Sequence, residues 1–168
     1  MDNKVDSYRF INGITKRMIK SWIDMEKPRP IPWTKLSKPL SDCTVALISS
    51  AGIALKTDRP FEQDGERKNP WWGDPSYRVL PKTATEQEVR VYHLHIDPCY
   101  AERDLNCLFP LQRLQELEQA GEIGHVAPRH YSVMGYILRP EELLEQTMPA
   151  IIRDLREDRA DVVILVPA

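Results

Sequence analysis

Three short stretches of this chain carry side chains able to do chemistry. The first is His93-Leu94-His95-Ile96-Asp97. Apolar and polar residues alternate from Val89 to Ile96, which predicts a strand, and a strand's period of two puts His93, His95 and Asp97 on one face. His-x-His is a metal-ligand spacing. The plainer reading is a hydrogen-bonded polar strand end with no metal, and the spacing of His125 and His130 does not demand one. The second stretch, Asp104-Leu105-Asn106-Cys107-Leu108-Phe109-Pro110, sets a cysteine just before a predicted helix. A helix N-terminus lowers a thiol's pKa and makes it a better nucleophile; a lone cysteine there also reads as a small buried apolar residue. The third consists of two turns after apolar segments, Ser49-Ser50-Ala51-Gly52 and Met134-Gly135-Tyr136, whose main-chain N–H groups can face an anion. The chain has no Walker A sequence, no G-x-G-x-x-G and no C-x-x-C.

The elements that must position these residues follow from periodicity. Tyr8, Ile11, Ile14, Met18, Trp22 and Met25 recur at helical spacing and predict an amphipathic arm, which packs on its own domain or on a partner subunit. Lys16, Arg17 and Lys20 leave a membrane-surface helix as the other reading. Pro28-Arg29-Pro30-Ile31-Pro32-Trp33 reads as an extended linker. Residues 44–50 predict a buried strand with a tight turn at Ala51-Gly52, residues 57–77 a long polar loop, and Thr85–Glu88 a capped helical turn. A helix with Leu108, Leu111, Leu114 and Leu117 on one face ends at Gly121; a short strand from Ile123 to Ala127 stops at Pro128. A helix opens at Pro140-Glu141-Glu142, with Pro149 kinking or splitting it, and residues 161–166 read as a central parallel strand. The fold expected is therefore α/β: a mostly parallel sheet with flanking helices and an N-terminal amphipathic helical arm. Residues 1–39 form the arm and Pro-rich linker, and residues 40–168 the α/β domain.

Composition narrows the function classes. The chain has 168 residues, one domain's worth, with Lys+Arg 23 against Asp+Glu 25. That near-balance supplies no basic field and argues against nucleic acid as a partner. The longest apolar run, residues 162–168, falls far short of the roughly 20 residues a membrane span needs. Without an apolar stretch near Met1, and with three cysteines (Cys43, Cys99 and Cys107) that do not suggest a disulfide framework, the expectation is a cytoplasmic protein.

Five segments, taken in order, resemble a known family: Val45 to Phe61, Asp74-Pro75-Ser76-Tyr77-Arg78, Asp104 to Pro110 with Arg113-Leu114, Glu122 to Pro128, and Met134-Gly135. Their order and spacing are similar to the selenoprotein B family of glycine, sarcosine, betaine and D-proline reductases, over residues of about 40–168. The resemblance implies reductive cleavage of a C–N bond α to a carboxylate by a selenocysteine with a thiol partner, the selenol being ionised where a thiol is mostly protonated. It implies catalytic roles for Cys107 (as resolving thiol), Asp104, Asn106 and Asp97. It implies substrate contacts from Ser50, Gly52, His93, His95, Pro128, His130, Met134 and Gly135. No metal is expected among them, and no cofactor in this chain; a pyruvoyl group on a partner subunit is implied, with an amino-acid-like substrate, a thiol carrier and room for a homo-oligomer. Two alternatives stay open: a binding or assembly homologue without the nucleophile, and a metal-dependent hydrolase built on His93, His95 and Asp97.

In this family the selenocysteine, or a cysteine in its place, follows an apolar strand resembling Val162–Val166, so the chemistry is expected just after Ala168, in a frame truncated at an in-frame UGA. Sequencing the nucleotides after the Ala168 codon tests this: UGA with a selenocysteine-insertion hairpin and matching residues downstream is the expected result. UAA or UAG, with nothing matching downstream, removes it.

Overall fold

The computed structural model describes residues 11–25, 30–32, 34–69 and 72–168. They fall in two units, Met1–Lys35 and Leu36–Ala168. The first holds α1 (Gly13–Met25). Asn12 caps it, its Oδ1 accepting from the N–H groups of Ile14 (3.1 Å) and Thr15 (2.9 Å). Ile14, Met18, Trp22 and Met25 share one face; Ile11 precedes the helix, and Tyr8 lies outside the described residues, as do Pro28, Arg29 and Trp33 of the expected linker. Pro30, Ile31 and Pro32 are neither helix nor strand.

The second unit runs β1 (Thr44–Ser49), β2 (Ile53–Leu55), α2 (Asp64–Lys68), β3 (Tyr77–Pro81), β4 (Val89–Val91), α3 (Cys99–Arg103), α4 (Leu111–Gln119), β5 (His125–Val126), β6 (Arg129–Val133), α5 (Met148–Glu157) and β7 (Val162–Val166). Among the described residues one sheet joins β3, β6, β1, β5 and β7, and β2 pairs with β4 in a separate antiparallel ribbon. β5, β6 and β7 run parallel to β1, while β3 is antiparallel to β6. The α/β class with a mostly parallel sheet stands.

β1 is buried on both faces. Val45 and Leu47 face one core with Leu105, Phe109, Leu111 and Leu114; Ala46 faces another with Tyr131, Val133, Ile151 and Leu155. Alternation along a strand distributes these side chains, and helices α4 and α5 supply one cover each. Pro149 leaves the expected mark: a π turn (Leu143–Thr147) precedes α5, giving room to a residue that lacks an N–H and crowds the preceding turn.

Several boundaries differ from the sequence expectations. The strand expected to reach Ile96 stops at Val91, because β2, its partner, is three residues long. The long loop contains α2. Thr85–Glu88 is a turn rather than a helix, held by the Glu88 carboxylate accepting from the Thr85 N–H (3.0 Å) and hydroxyl (2.9 Å). β3 and β6 carry mixed polar and apolar residues and no clear signal in the sequence; each is a strand because the other pairs with it. β7 is not central: it pairs along its whole length with β1 alone among the described residues, and Val163, Ile164 and Leu165 are exposed.

β5 and β6 lie along the same edge of β1 with a break between them. Val45 pairs with Val126 and Ile48 with Tyr131, so three steps on β1 match five on its neighbour. Pro128, without an N–H, sits in that break, and the imidazole of His130 fills it: Nδ1 accepts the Leu47 N–H at 3.0 Å. Arg129 beside it donates from Nε and Nη2 to the two Asp158 oxygens, each at 2.8 Å, clamping β6 to the end of α5.

His130 is fully buried, and among the described residues its Nε2 meets no hydrogen-bond partner within bonding geometry. Burial lowers its pKa from the ordinary 6.5 to about 4. Above pH 6.5 the ring is neutral in both folded and unfolded chains. As pH falls toward 4 the unfolded chain takes up the proton and the folded one does not, so stability falls through that window by at most about 3 kcal/mol. Urea unfolding between pH 7 and 4 is expected to show this slope in the wild type. It should flatten in His130→Gln, whose amide oxygen can still accept from Leu47; equal slopes would refute the assignment.

Candidate active site at the carboxyl ends of the strands

Parallel strands that point the same way end together, and in open α/β sheets ligands bind beyond those ends. Here β1, β6 and β7 end at Ser49, Val133 and Val166. The Ser50 N–H continues the ladder to the Val166 carbonyl (3.0 Å), and Ser50 Oγ accepts the Ala168 N–H (2.9 Å). Ser49 Oγ donates to the Leu108 carbonyl (2.8 Å), fastening the segment after Cys107 to the end of β1.

Gly52 makes the turn out of β1. Its φ is +61°, the left-handed region that favours glycine, and a Cβ there would lie 2.5 Å from the Met134 sulfur. Its N–H reaches the Val133 carbonyl (2.9 Å) and its carbonyl takes the Tyr92 N–H (2.9 Å), so this one residue ties the end of β6 to the end of β4. His93 follows immediately. The His95 N–H donates to His93 Nδ1 at 3.1 Å. Burial, and secondarily the His95 charge, lower the pKa of His93. Gly135 completes the group: a Cβ on it would stand 2.7 Å from His93 Nε2, 2.8 Å from the Ser50 carbonyl and 3.1 Å from the Ala168 carbonyl. His95 packs edge-on to Tyr136, ring centroids 4.9 Å apart.

The strand ends thus bring together Ser50, Gly52, His93, His95, Met134 and Gly135. Pro128 and His130 are not with them: Pro128 precedes β6 at its amino end, and His130 is committed to Leu47 inside the core. His93, His95 and Asp97 lie in turns after β4, so the strand alternation expected to align them does not apply. Among the described residues no group of three or more His, Cys, Asp or Glu side chains is placed to hold a metal ion.

Asp104, Asn106 and Cys107 form a tight local unit. Asp104 Oδ1 accepts from the Asn106 N–H (3.0 Å) and side-chain amide (2.8 Å), and Asn106 Oδ1 accepts the Arg113 N–H (3.3 Å). These bonds from Asn106, side chain first, hold the Asp104 carboxyl below its usual pKa. Cys107 is exposed but is not at a helix N-terminus: it ends a 3-10 turn (Leu105–Cys107), and α4 begins only at Leu111, after Pro110. Asp97 has a partner the sequence did not suggest. Its carboxylate accepts from the Cys99 N–H (3.0 Å) and binds the Cys99 thiol, which raises the thiol's pKa and lowers that of Asp97.

The model of the glycine/sarcosine/betaine reductase selenoprotein B family matches residues 8–168. The chain belongs to that family. The match takes in the arm as well as the α/β unit, a wider span than the segments from residue 40 onward suggested. Among family relatives, the D-proline reductase subunit gamma of Acetoanaerobium sticklandii is 35% identical over 138 residues, covering 82% of this chain and 53% of the relative. The glycine reductase complex component B subunit gamma of Carboxydothermus hydrogenoformans is 31% identical over 146 residues, 83% of this chain and 32% of the relative. The betaine reductase complex component B subunit beta of Peptoclostridium acidaminophilum is 26% identical over 169 residues, 98% of this chain and 38% of the relative. This family member therefore spans about a third to a half of the length of these relatives. No solved structure matches it. No helix among the described residues is long and apolar enough to cross a membrane.

Alkylation by iodoacetamide at pH 7 separates the three thiols. Cys43 is buried and should stay unmodified; Cys107 should react fastest; Cys99 should lag because Asp97 keeps it protonated, and should speed up in Asp97→Asn. An unchanged Cys99 rate in that variant refutes the pairing. A Cys107 rate no higher than that of an unperturbed thiol removes it as resolving thiol.

Proposed function

We propose that this chain is part of a selenol- or thiol-dependent reductase that cleaves the C–N bond of a small amino-acid-like substrate, and that it builds one wall of the active site. The observation that carries the reading is the convergence of Ser50, Gly52, His93, Met134 and Gly135 at the carboxyl ends of β1, β6 and β7 in a member of this family. In the reaction the C–N bond breaks and the amine leaves with a proton. The carbon gains a hydrogen, and two thiols, or a selenol and a thiol, give up two electrons and end joined to each other. The substrate contacts are Ser50, Gly52, His93, His95, Met134 and Gly135. Cys107 serves as resolving thiol, held in its turn by Asp104 and Asn106, while Asp97 keeps Cys99 in reserve as a thiol.

The family relatives are named as subunits or components of reductase complexes, and we assign this chain to such an assembly. The surface supports that reading: β7 offers an apolar edge whose Leu165 is 70% exposed, and a parallel strand is normally covered on both faces. Free cysteines suit a reducing compartment, the cytoplasm.

The test expresses the full reading frame with its neighbouring subunits and a dithiol reductant. It measures amine release from glycine, sarcosine and betaine, and ring opening of D-proline. Consumption of at least one, lost without the dithiol, is the expected result. Consumption of none, with the subunits nonetheless co-purifying, would replace the reductase by an assembly protein.

A further inference from the structure

We propose that the N-terminal arm is a membrane-surface anchor: α1 lies in the plane of a bilayer rich in anionic phospholipid, its apolar half at the acyl boundary and its cations among the headgroups. The proposal is independent of the reductase reading. It starts from how α1 divides its side chains. At helical spacing Ile14, Met18, Trp22, Met25, Ile19 and Ile23 share one half of the circumference, about 180° wide and broken only by Thr15. Lys16, Arg17, Lys20 and Asp24 fall on the other half. Lys16 borders the apolar half on one side and Arg17 on the other, positions from which long basic side chains lay their methylenes along apolar surface and keep the charge in water.

No residue of α1 is buried. Ile14 is 83% exposed, Trp22 59% and Met25 67%. A helix of 13 residues is marginal in water by itself, so its stability has to come from a surface that covers the apolar face. The width of that face identifies the surface. A helix seated in a protein groove presents a row of anchors at i, i+3, i+4 and i+7. In α1 the flank at Ile19 and Ile23 is apolar as well, which suits the flat boundary of a lipid bilayer. Charge points the same way. Residues 1–35 carry eight Lys and Arg against four Asp and Glu, whereas residues 36–168 carry fifteen against twenty-one. An anionic bilayer attracts the first segment and repels the second, so the arm is the part drawn to it.

Co-sedimentation of the full chain tests this, with vesicles of equimolar phosphatidylglycerol and phosphatidylcholine against vesicles of phosphatidylcholine alone. Binding to the first is expected to exceed binding to the second by at least about tenfold and to weaken as salt rises. Arg17→Gln should weaken it about fivefold, the share of one cation. Trp22→Asp should abolish it, together with the helix that circular dichroism shows the wild type gaining on anionic vesicles. In both variants Cys43 should stay closed to iodoacetamide, the sign that the α/β unit is folded. Equal binding to the two kinds of vesicle overturns the proposal, because charge then plays no part, and so does binding to neither. A chain that ignores vesicles but co-purifies with its neighbouring subunits, and loses them in Trp22→Asp, docks its arm on protein, and the membrane is discarded.

Discussion

The hydrogen-bonding capacity of a single strand organises residues 36–168. β1 offers main-chain groups on both edges, and a buried strand cannot leave them unpaired without losing on the order of 1–3 kcal/mol for each. β7 satisfies one edge over five consecutive residues. The other edge is shared by β5 and β6, two short strands that do not meet, and the His130 imidazole supplies the acceptor where they part. β3 is then fixed through β6, and α5 through the Arg129–Asp158 clamp. At the start of β7 the Asp161 carboxylate binds both the Thr44 N–H (2.8 Å) and Lys38 (2.7 Å), which sets the register against β1. Loss of pairing along β1 would release β5, β6 and β7 from it.

The candidate site is a consequence of that register. Because β1, β6 and β7 are parallel, their chain exits fall side by side, and the residues just past them meet with no long-range side-chain network. Glycines do much of the positioning. Gly52 turns the chain from β1 into β2 and makes main-chain bonds to Val133 and Tyr92; at Gly135 a Cβ would crowd His93 Nε2 and the Ser50 and Ala168 carbonyls alike. The thiol-bearing turn is joined to this region by the Ser49–Leu108 hydrogen bond and by Leu105 and Phe109 packing with Val45 and Leu47, so its placement depends on β1 as well.

β7 combines two properties. It is apolar at every position, and its outer edge is free of the charges, prolines and bulges that usually blunt an exposed strand.

Periodicity made much of this architecture legible from residues alone. α1, β1, α4, the interrupted helix at Pro149 and β7 all follow from local apolar spacing, which chain chemistry sets without reference to distant residues. The residue types of the site were legible too, a doubled histidine and turns at Gly52 and Gly135, whereas Cys107, expected at the start of a helix, ends a 3-10 turn four residues before one begins. What no local pattern carries is pairing. β3 and β6, with Arg, His, Tyr and Ser among their residues, are strands only because β1 and each other accept their main chains, and β4 stops at Val91 because its partner is short. The same cause divides the site residues. His130 and His93 look alike in the sequence, yet register buries one as a substitute for a backbone carbonyl and brings the other to the strand ends. Residue type and spacing determined which groups were available; long-range hydrogen-bond pairing, a tertiary property, decided which of them met.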